Sequence, residues 1–534
     1  MANQTQTVEL YGRFEAQFEA ACDYENALQD VRVRVVFECA SERQSVDAFW
    51  DGGLTWLVRF SPETAGTWSW KTTCSRRDDA GLHGVGGSFE CSTVAGASMP
   101  RGPLRVAASK THLQRADGTP FLWIGDTVWN GPLKASEADW EGFLNDRASK
   151  GFNAIQFVAT QWISAVGDAE GRPAYLGLER IRIEPAFFHR LDQRIDAINA
   201  HGMVAAPVLA WAAGWNPDSA HFNAGNSLND EQLILLVRYL ISRYGAHDAV
   251  WILAGDGLYT GEEAERWRRV GRAALADSTR LATMHPGGKL WVAAEFRDES
   301  WFAFNSYQSG HWNDDDNFRW INEGPPSQDW QTAPVCPHIN QEPCYEGHRP
   351  MAPGAAPGLL MDDHDIRRAC YWSLLTAPAA GVTYGAHGVW SWESRPEFPL
   401  SHPNTGIARP WREAMEFPGA RSIAHLAAIF HEIEWWRLRP APRLLVAQPG
   451  FETPALFVGA AASDERDLAV VYLPEGGSVE LCAAELRAGL TAECIDPATG
   501  AQLWSRPLTD CGSTIDTGGP RDRVLVIRSN EVRH

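Results

Sequence analysis

One fully apolar segment, AVWILAG at residues 249–255, leads directly into a single acidic residue, Asp256. A short apolar run rich in β-branched and aromatic residues is typical of a strand that is buried on both faces. Helical patterns flank the segment on both sides, which favours a parallel βα unit. In such folds the functional groups lie at the carboxyl ends of the strands. Asp256 is therefore a candidate catalytic carboxylate, and a catalytic pair requires a second one.

The segment is part of a longer alternation of strand and helix patterns between residues 101 and 437. The strand patterns cover residues 121–125, 154–159, 204–210, 250–254, 282–285, 302–307, 335–340 and 382–386. Helical patterns lie between them, with apolar residues at helical spacing in 187–199 and 233–244. Eight strand–helix pairs predict a (β/α)8 TIM barrel with insertions. A doubly wound sheet is the alternative, but no GxGxxG follows the first strand.

Both ends of the chain carry short alternating strands and turn formers instead of helices. Examples are VRVRVVF at residues 31–37 and LAVVY at 468–472. Such patterns predict β-sandwiches. We therefore expect a multidomain α/β protein with an N-terminal β-sandwich over residues 1–100, a catalytic barrel over 101–437 and a C-terminal β-sandwich over 438–534. A length of 534 residues agrees with several domains.

Charge and apolar patterning narrow the range of partners. The net charge is −20 and no basic run offsets it, which argues against nucleic acid and anionic membranes. No stretch approaches the roughly 18 apolar residues that a membrane span needs. The N-terminus lacks a basic region followed by an apolar stretch, so we expect a cytoplasmic protein. The ten cysteines lack metal-binding spacing and are expected to be reduced thiols.

Glycoside hydrolysis needs two carboxyl groups, one that protonates the leaving oxygen and one that attacks the anomeric carbon or activates water. In a barrel, the ends of strands four and seven open on the same mouth. The segment PVCPHINQEPCYE at residues 334–346 follows the seventh strand and supplies Glu342 and Glu346. We predict that Asp256 and Glu342 form the catalytic pair, because Glu342 comes first after the strand. Glu346 is the alternative nucleophile.

Polar and aromatic residues at the other strand ends form a candidate substrate site. Hydrogen-bonding groups and flat apolar rings suit a polyhydroxylated ligand. The predicted substrate-binding residues are Asp126, Trp129, Gln161, Trp211, Trp215, His285, Gln308, His311, Tyr345, Glu346, His387 and Trp390. The chain contains 24 tryptophans, and each of these could instead pack in a core. His285 and His311 could equally be structural.

Two acidic clusters contain residue types that can bind metal ions. The segment DDHD at residues 362–365 precedes a helical pattern, where aspartate caps the free amides of the first turn. The segment DDD at 314–316 lacks the spacing of a calcium-binding EF-hand loop. We therefore predict no metal site and no cofactor.

Several of these segments resemble the apiosidase-like glycoside hydrolases, which are barrels of a large retaining clan. The matching segments are GDTVW at 125–129, WILAGD at 251–256, YQSGH at 307–311 and NQEPCYE at 340–346. The N-terminal segment at 49–68 and the C-terminal YLPEGG and DPATG resemble the β-sandwiches that flank such barrels. The resemblance implies a general acid/base after strand four, here Asp256, and a nucleophile after strand seven, here Glu342. It does not specify the sugar.

The sequence thus predicts a retaining, exo-acting β-glycosidase for an apioside or another pentose or hexose glycoside. Asp256 is expected to be kept protonated by burial or by the charge of the neighbouring nucleophile. The expected partner is a small glycoside or oligosaccharide, and a homo-oligomer is possible. The alternatives are arabinofuranosidase-like or galactosidase-like specificity, an inverting hydrolase, a glycan lyase, or a non-catalytic carbohydrate-binding barrel.

Overall fold

The computed structural model describes residues 6–93, 102–214, 220–356, 358–508 and 514–529. Within these ranges a parallel barrel-like sheet of eight strands lies between an N-terminal and a C-terminal group of β-sheets. This arrangement confirms the predicted fold class. The predicted boundary between residues 100 and 101 falls in 94–101, which is outside the described residues. In the described part of the chain, no helix has both the length and the apolar character needed to cross a membrane.

The parallel strands of the central sheet bring all their carboxyl ends to one side. In chain order they are β1 (Trp123–Thr127), β2 (Ala154–Val158), β3 (Val204–Trp211), β4 (Trp251–Gly257), β5 (Ala282–Pro286), β6 (Asn305–Tyr307), β7 (His338–Asn340) and β8 (Gly381–Tyr384). Neighbouring strands pair in the order β5, β4, β3, β2, β1, β8, β7, β6. A parallel bridge between Ala282 and Phe302 joins β5 to the segment before β6 and closes the circle.

Some strands differ in length from the predicted patterns. The seventh strand begins at His338 rather than at residue 335, because Pro337 lacks the N–H group that a strand ladder requires. The first strand extends to Thr127, so Asp126 lies inside β1 instead of following it. This shift matters for the candidate site, because side-chain direction alternates along a strand.

Helices cover the outside of the barrel. They are α1 (Glu137–Ser149), α2 (Pro185–Ala200), α3 (Asp230–Tyr244), α4 (Gly261–Ala274), α5 (Ala293–Phe296), α6 (Asp315–Glu323), α7 (Asp363–Leu375) and α8 (Pro418–His431). Shorter α-helices are Ala27–Asp30, Gly131–Lys134, Ala224–Ser227, Pro325–Gln328 and Trp411–Ala414. Asp362 accepts hydrogen bonds from the first turn of α7, and the Asp365 side chain accepts one from the N–H of Asp362. This reciprocal capping confirms the interpretation of the DDHD segment as a helix start.

The N-terminal region is a β-sandwich that packs on the helix layer. One sheet has the strand order Gln6–Glu9, Gly86–Ser92, Gly66–Cys74, Val33–Cys39 and Glu42–Asp47, and the other has the order Phe14–Glu19, Thr55–Phe60 and Phe49–Gly52. The rings of Phe37 and Phe60 stack across the two sheets with centroids 4.1 Å apart. Arg59 of the sandwich binds Asp192 of α2 at 2.8 Å.

The C-terminal region is a larger sheet covered by a small one. The larger sheet has the order Leu438–Pro440, Gly459–Ser463, Leu468–Leu473, Arg523–Arg528, Thr491–Asp496 and Ala501–Pro507, and the small sheet pairs Ser478–Glu480 with Thr514–Asp516. Arg367 of α7 binds Asp522 at 2.8 Å with both side chains buried. Tyr371 stacks on Tyr472 at 4.6 Å. Both β regions therefore contact helices on the outside of the barrel.

Candidate active site

Asp256 lies near the carboxyl end of β4 and is half-buried. Its backbone φ of 60° is in the left-handed region, which aspartate tolerates better than most residues. Gln308, which follows β6, donates through Nε2 to Asp256 Oδ1 at 3.1 Å. The same nitrogen donates to the carbonyl oxygen of Pro286 at 2.6 Å. The two hydrogens of the amide are thus both used, and Gln308 fixes the carboxyl group of Asp256 through Oδ1.

Glu342 follows β7 and is 7% exposed. The Nε2 atom of His285 lies 3.1 Å from its Oε2, and the Nε2 atom of His311 lies 2.9 Å from its Oε1. Because an ionised carboxylate can only accept, both Nε2 atoms carry a hydrogen. Burial opposes ionisation of Glu342, but the hydrogen bonds from the two histidines outweigh burial and lower its pKa to about 2. Glu342 is therefore an ionised and firmly oriented carboxylate at neutral pH.

The side chains that bind the two carboxyl groups are in contact with each other. Gln308 Nε2 lies 3.1 Å from Asp256 Oδ1 and 3.4 Å from His285 Nε2, and His285 in turn donates to Glu342. Because the hydrogens of both nitrogens are already used, Gln308 and His285 touch here without a hydrogen bond between them, and the two side chains lie between Asp256 and Glu342. Glycoside hydrolysis requires two carboxyl groups at one site, one of which is ionised while the other acts as an acid.

Aromatic rings surround the histidine side of this site. The rings of Trp129 and Trp211 meet edge to face at 5.2 Å, and Trp129 lies 5.3 Å from the ring of His285. Within the described residues, Trp211 Nε1 is buried without a hydrogen-bond partner. Flat apolar faces next to a nitrogen donor are groups that bind the faces and hydroxyls of a sugar.

Tyr345 lies close to Glu342. Its ring is 4.4 Å from the ring of His311. Burial and the negative charge of Glu342 raise the pKa of the Tyr345 hydroxyl, which is therefore neutral. Tyr345 thus joins His285, His311 and Gln308 among the predicted residues that lie close to the carboxylate pair.

His387 and Trp390 follow β8 and form a hydrogen-bonded pair. Trp390 Nε1 donates to His387 Nδ1 at 3.1 Å, and His387 Nε2 lies 3.1 Å from the carbonyl oxygen of Gly406. Burial lowers the pKa of His387 to about 4, so the ring is neutral and donates to Gly406. This pair anchors the loop after β8 beside the mouth.

Sequence reasoning missed two histidines of the site, His348 and His402. The ring of His348 stacks on that of His311 at 4.3 Å. The ring of His402 lies 5.0 Å from Trp390 and 5.7 Å from Trp162. Both residues belong to long loops, where no periodic pattern indicates which side chains turn toward the mouth.

Asp126, a predicted substrate-binding residue, is not part of this group. It is fully buried within β1 and binds Arg147 of α1, which is also fully buried. The neighbouring Thr127 accepts a hydrogen bond from Gln156 of β2 at 2.7 Å. The alternation of side chains along β1 therefore directs Asp126 to the helix layer and not to a ligand.

Gln161, another predicted substrate-binding residue, is bonded to the backbone of its own loop. Gln161 uses both atoms of its amide on the backbone, since Oε1 accepts from the N–H of Ala174 at 2.9 Å and Nε2 donates to the carbonyl of Tyr175 at 3.2 Å. These bonds hold the loop after β2. Trp215 lies outside the described residues.

Glu346, the alternative nucleophile, contacts α8 instead of the side chains that bind Glu342. Its carboxyl group accepts hydrogen bonds from Tyr384 Oη at 2.7 Å and from the N–H of Gly419 at 2.9 Å. Burial raises the pKa of Glu346 to about 7, although both hydrogen bonds act in the opposite direction. Glu346 thus stabilises the first turn of α8 and differs from Glu342 in both contacts and ionisation.

The raised pKa of Glu346 predicts a pH-dependent contribution to stability. A carboxyl group whose pKa is higher in the folded than in the unfolded state stabilises the fold at low pH, and that contribution is lost as the pH rises from about 4.5 to about 7. Glu346→Gln should remove this dependence, which amounts to at most about 3 kcal/mol. Melting temperatures at pH 5 and pH 7.5 test this. An equal drop between the two pH values in the wild type and the variant would contradict it.

Family models and solved structures both match this chain. The family model described as "Apiosidase-like, catalytic domain" matches residues 107–437, and a model for a domain of unknown function, DUF5060, matches residues 7–75. A Bacteroides vulgatus ATCC 8482 structure assigned provisionally to the glycoside hydrolases is 18% identical, with a TM-score of 0.72 over 98% of this chain and 100% of that one. A glycoside hydrolase family 5 structure from the same organism is 20% identical, with a TM-score of 0.68 over 80% and 93% of the two chains. No curated protein sequence matches.

Proposed function

The chain belongs to the apiosidase-like family and is a glycoside hydrolase, and we propose that it cleaves a β-glycoside with retention of anomeric configuration. In this proposal Asp256 is the general acid/base and Glu342 is the nucleophile. The observation that carries the proposal is that Gln308, which binds Asp256, and His285, which binds Glu342, lie 3.4 Å apart, so that the two carboxyl groups belong to one site.

The environment of each carboxyl group supports its proposed role. A nucleophile must be ionised and correctly oriented, and hydrogen bonds from His285 and His311 meet both conditions for Glu342. A general acid must reach the leaving oxygen, and Asp256 is the more exposed of the two groups. Gln308 donates to Oδ1 of Asp256 and so orients the carboxyl group.

The reaction proceeds in two displacements. Asp256 gives its proton to the glycosidic oxygen while Glu342 attacks the anomeric carbon, and the aglycone leaves as an alcohol. The resulting glycosyl ester on Glu342 is hydrolysed by a water molecule that gives its proton to Asp256. Both carboxyl groups return to their starting ionisation states, so the cycle requires no further reactant.

Exo cleavage is proposed from the loops beside the mouth. The N–H of Arg349, after β7, donates to the carbonyl of Thr405, after β8, at 3.1 Å. The loop after β8 is also bound by His387 through Gly406. Joined loops of this kind wall one side of the mouth and favour binding of a terminal sugar over the interior of a chain.

A panel of 4-nitrophenyl glycosides tests the proposal. The panel contains the β-apioside, both arabinosides, the xyloside, the galactoside, the glucoside and the fucoside. Hydrolysis of one member identifies the sugar, and proton NMR of the first product identifies the anomer. A β-anomer as first product supports retention, whereas an α-anomer from a β-glycoside would show inversion. Hydrolysis of an α-glycoside alone would contradict the proposed β-specificity.

Replacing His311 should change the pH dependence of the reaction. His311→Phe removes one hydrogen bond to the Glu342 carboxylate, so the pKa of Glu342 should rise from about 2 toward its ordinary value. We expect the acidic limb of kcat/KM to move to higher pH and kcat/KM at neutral pH to fall by roughly 10- to 100-fold. His201→Phe, at the C-terminal end of α2, is the matched control. A loss of activity with an unmoved acidic limb would show that His311 acts on the substrate instead.

A further inference from the structure

Exposed apolar side chains occur on two loops that also carry residues of the candidate site. Leu258 follows Asp256 by two residues and is 63% exposed, and Met351 is 50% exposed. Single exposed apolar residues are common on protein surfaces, so exposure alone does not indicate a site. These two residues are distinguished by their neighbours, because Leu258 is two residues from the general acid and Met351 is bonded to His311, the residue before Trp312.

Backbone geometry places Leu258 beside the acid. Asp256 has φ 60° and Tyr259 has φ 51°, and the Tyr259 side chain is fully buried. The turn therefore directs Tyr259 into the barrel wall and presents Leu258 to solvent between two fixed residues. Leu258 is thus an exposed apolar side chain directly after the strand that carries the acid.

Met351 is fixed on the adjoining loop. Its N–H donates to the carbonyl oxygen of His311 at 2.7 Å, and His311 in turn donates to Glu342. The backbone of Met351 is therefore fixed to His311, the residue that binds Glu342.

Trp312 completes the apolar surface. A Cβ atom added to Gly288 would stand 2.6 Å from the Trp312 ring and 3.6 Å from Gln308 Oε1, so the ring and the amide that holds Asp256 lie against the same glycine. The Trp312 ring is half-buried, and Lys289 Nζ lies 4.4 Å from its centroid. We refer to Leu258, Trp312 and Met351 as the acid-side platform.

We propose that the acid-side platform binds the leaving group and that the natural substrate carries an apolar, aryl-type aglycone. This inference rests on the proposed function, because it is the position of the general acid that defines the leaving-group side. A second sugar would need hydrogen-bonding partners for its hydroxyls, whereas leucine, methionine and the face of tryptophan offer apolar contact. Methionine also adapts its shape to flat ligands.

The test compares two leaving groups on the same sugar. A 4-nitrophenyl β-glycoside can contact the platform, whereas the β-glycosyl fluoride cannot, and both form the same glycosyl-enzyme. Leu258→Ser and Met351→Ser should each lower the ratio of kcat/KM for the aryl glycoside over the fluoride by about tenfold. Both residues are exposed, so the variants should fold. Leu503→Ser, which is 45% exposed on the C-terminal sheet, is the matched control and should leave the ratio unchanged.

Each outcome separates this inference from the proposed function. An unchanged ratio in both variants would overturn the platform while the glycosidase assignment stands. If the wild type hydrolyses the fluoride but not the aryl glycoside, the platform is likewise overturned and the glycosidase assignment stands. If the wild type cleaves neither substrate for any sugar of the panel, both proposals fail. Trp312→Ala extends the test. Its kcat/KM for the aryl glycoside should fall further than that of Leu258→Ser or Met351→Ser.

Discussion

Glu342→Ala should lower kcat/KM by at least about a thousandfold, which corresponds to about 4 kcal/mol of transition-state stabilisation. The variant removes the group that forms the glycosyl ester in the proposed mechanism, and it leaves His285 and His311 without their common acceptor. The expected loss is larger than for any other single side chain of the site, because no neighbouring carboxylate can take over. Glu346 cannot do so, since its carboxyl group is bound to Tyr384 and Gly419.

Azide distinguishes a nucleophile from a residue that is needed for the fold. In Glu342→Ala, azide can occupy the space of the missing carboxylate and attack an activated aryl glycoside from that face. The product should be the α-glycosyl azide of a β-glycoside substrate, and activity should rise with azide concentration. Glu346→Ala is the control and should keep most of the wild-type activity. If Glu346→Ala were inactive and rescued by azide while Glu342→Ala stayed active, the assignment of the nucleophile would be wrong.

Much of the fold could be predicted from the sequence, because its strongest patterns have a direct physical cause. Strands that are buried on both faces must be apolar, so segments such as 250–254 stand out among polar neighbours. The parallel topology then brings the ends of β4 and β7 to the same mouth, whatever the loops do. This is why Asp256 and Glu342 could be selected together without knowledge of the loops.

Side-chain direction was less predictable than strand position. Asp126 and Thr127 are neighbours in β1, yet one binds Arg147 in the helix layer and the other binds Gln156. A difference of one residue in a predicted strand end reverses such an assignment. Glu342 and Glu346 illustrate the same limit, because their separation in the sequence says nothing about which one meets the histidines.

The loops were the least predictable part of the site. His348 and His402 are placed by contacts between distant segments, such as the hydrogen bond from Arg349 N–H to the Thr405 carbonyl. Such contacts leave no periodic signal in the sequence. In barrel enzymes the loops at the carboxyl ends of the strands shape the substrate site, which explains why the class of reaction could be predicted more readily than the sugar.

Asp256→Asn is the second variant with a large expected effect, and its size should depend on the leaving group. Asparagine tolerates the left-handed backbone that position 256 requires, so the variant should preserve the fold better than alanine. It keeps a hydrogen-bonding side chain near Gln308 but has no proton of suitable acidity to transfer. Loss of general acid catalysis should therefore lower kcat/KM for an unactivated alkyl or aryl glycoside by roughly 100- to 10,000-fold.

A 2,4-dinitrophenyl glycoside needs little protonation, so its first displacement should be slowed much less. Its glycosyl-enzyme should then accumulate, because Asp256 is also the base for the incoming water, and both kcat and KM should fall. Azide should restore turnover and give the β-glycosyl azide, which is the opposite anomer from that expected for Glu342→Ala. Mass spectrometry of the trapped intermediate should locate the sugar on Glu342. An equal loss for activated and unactivated leaving groups would contradict the acid role and would indicate that Asp256 binds the sugar.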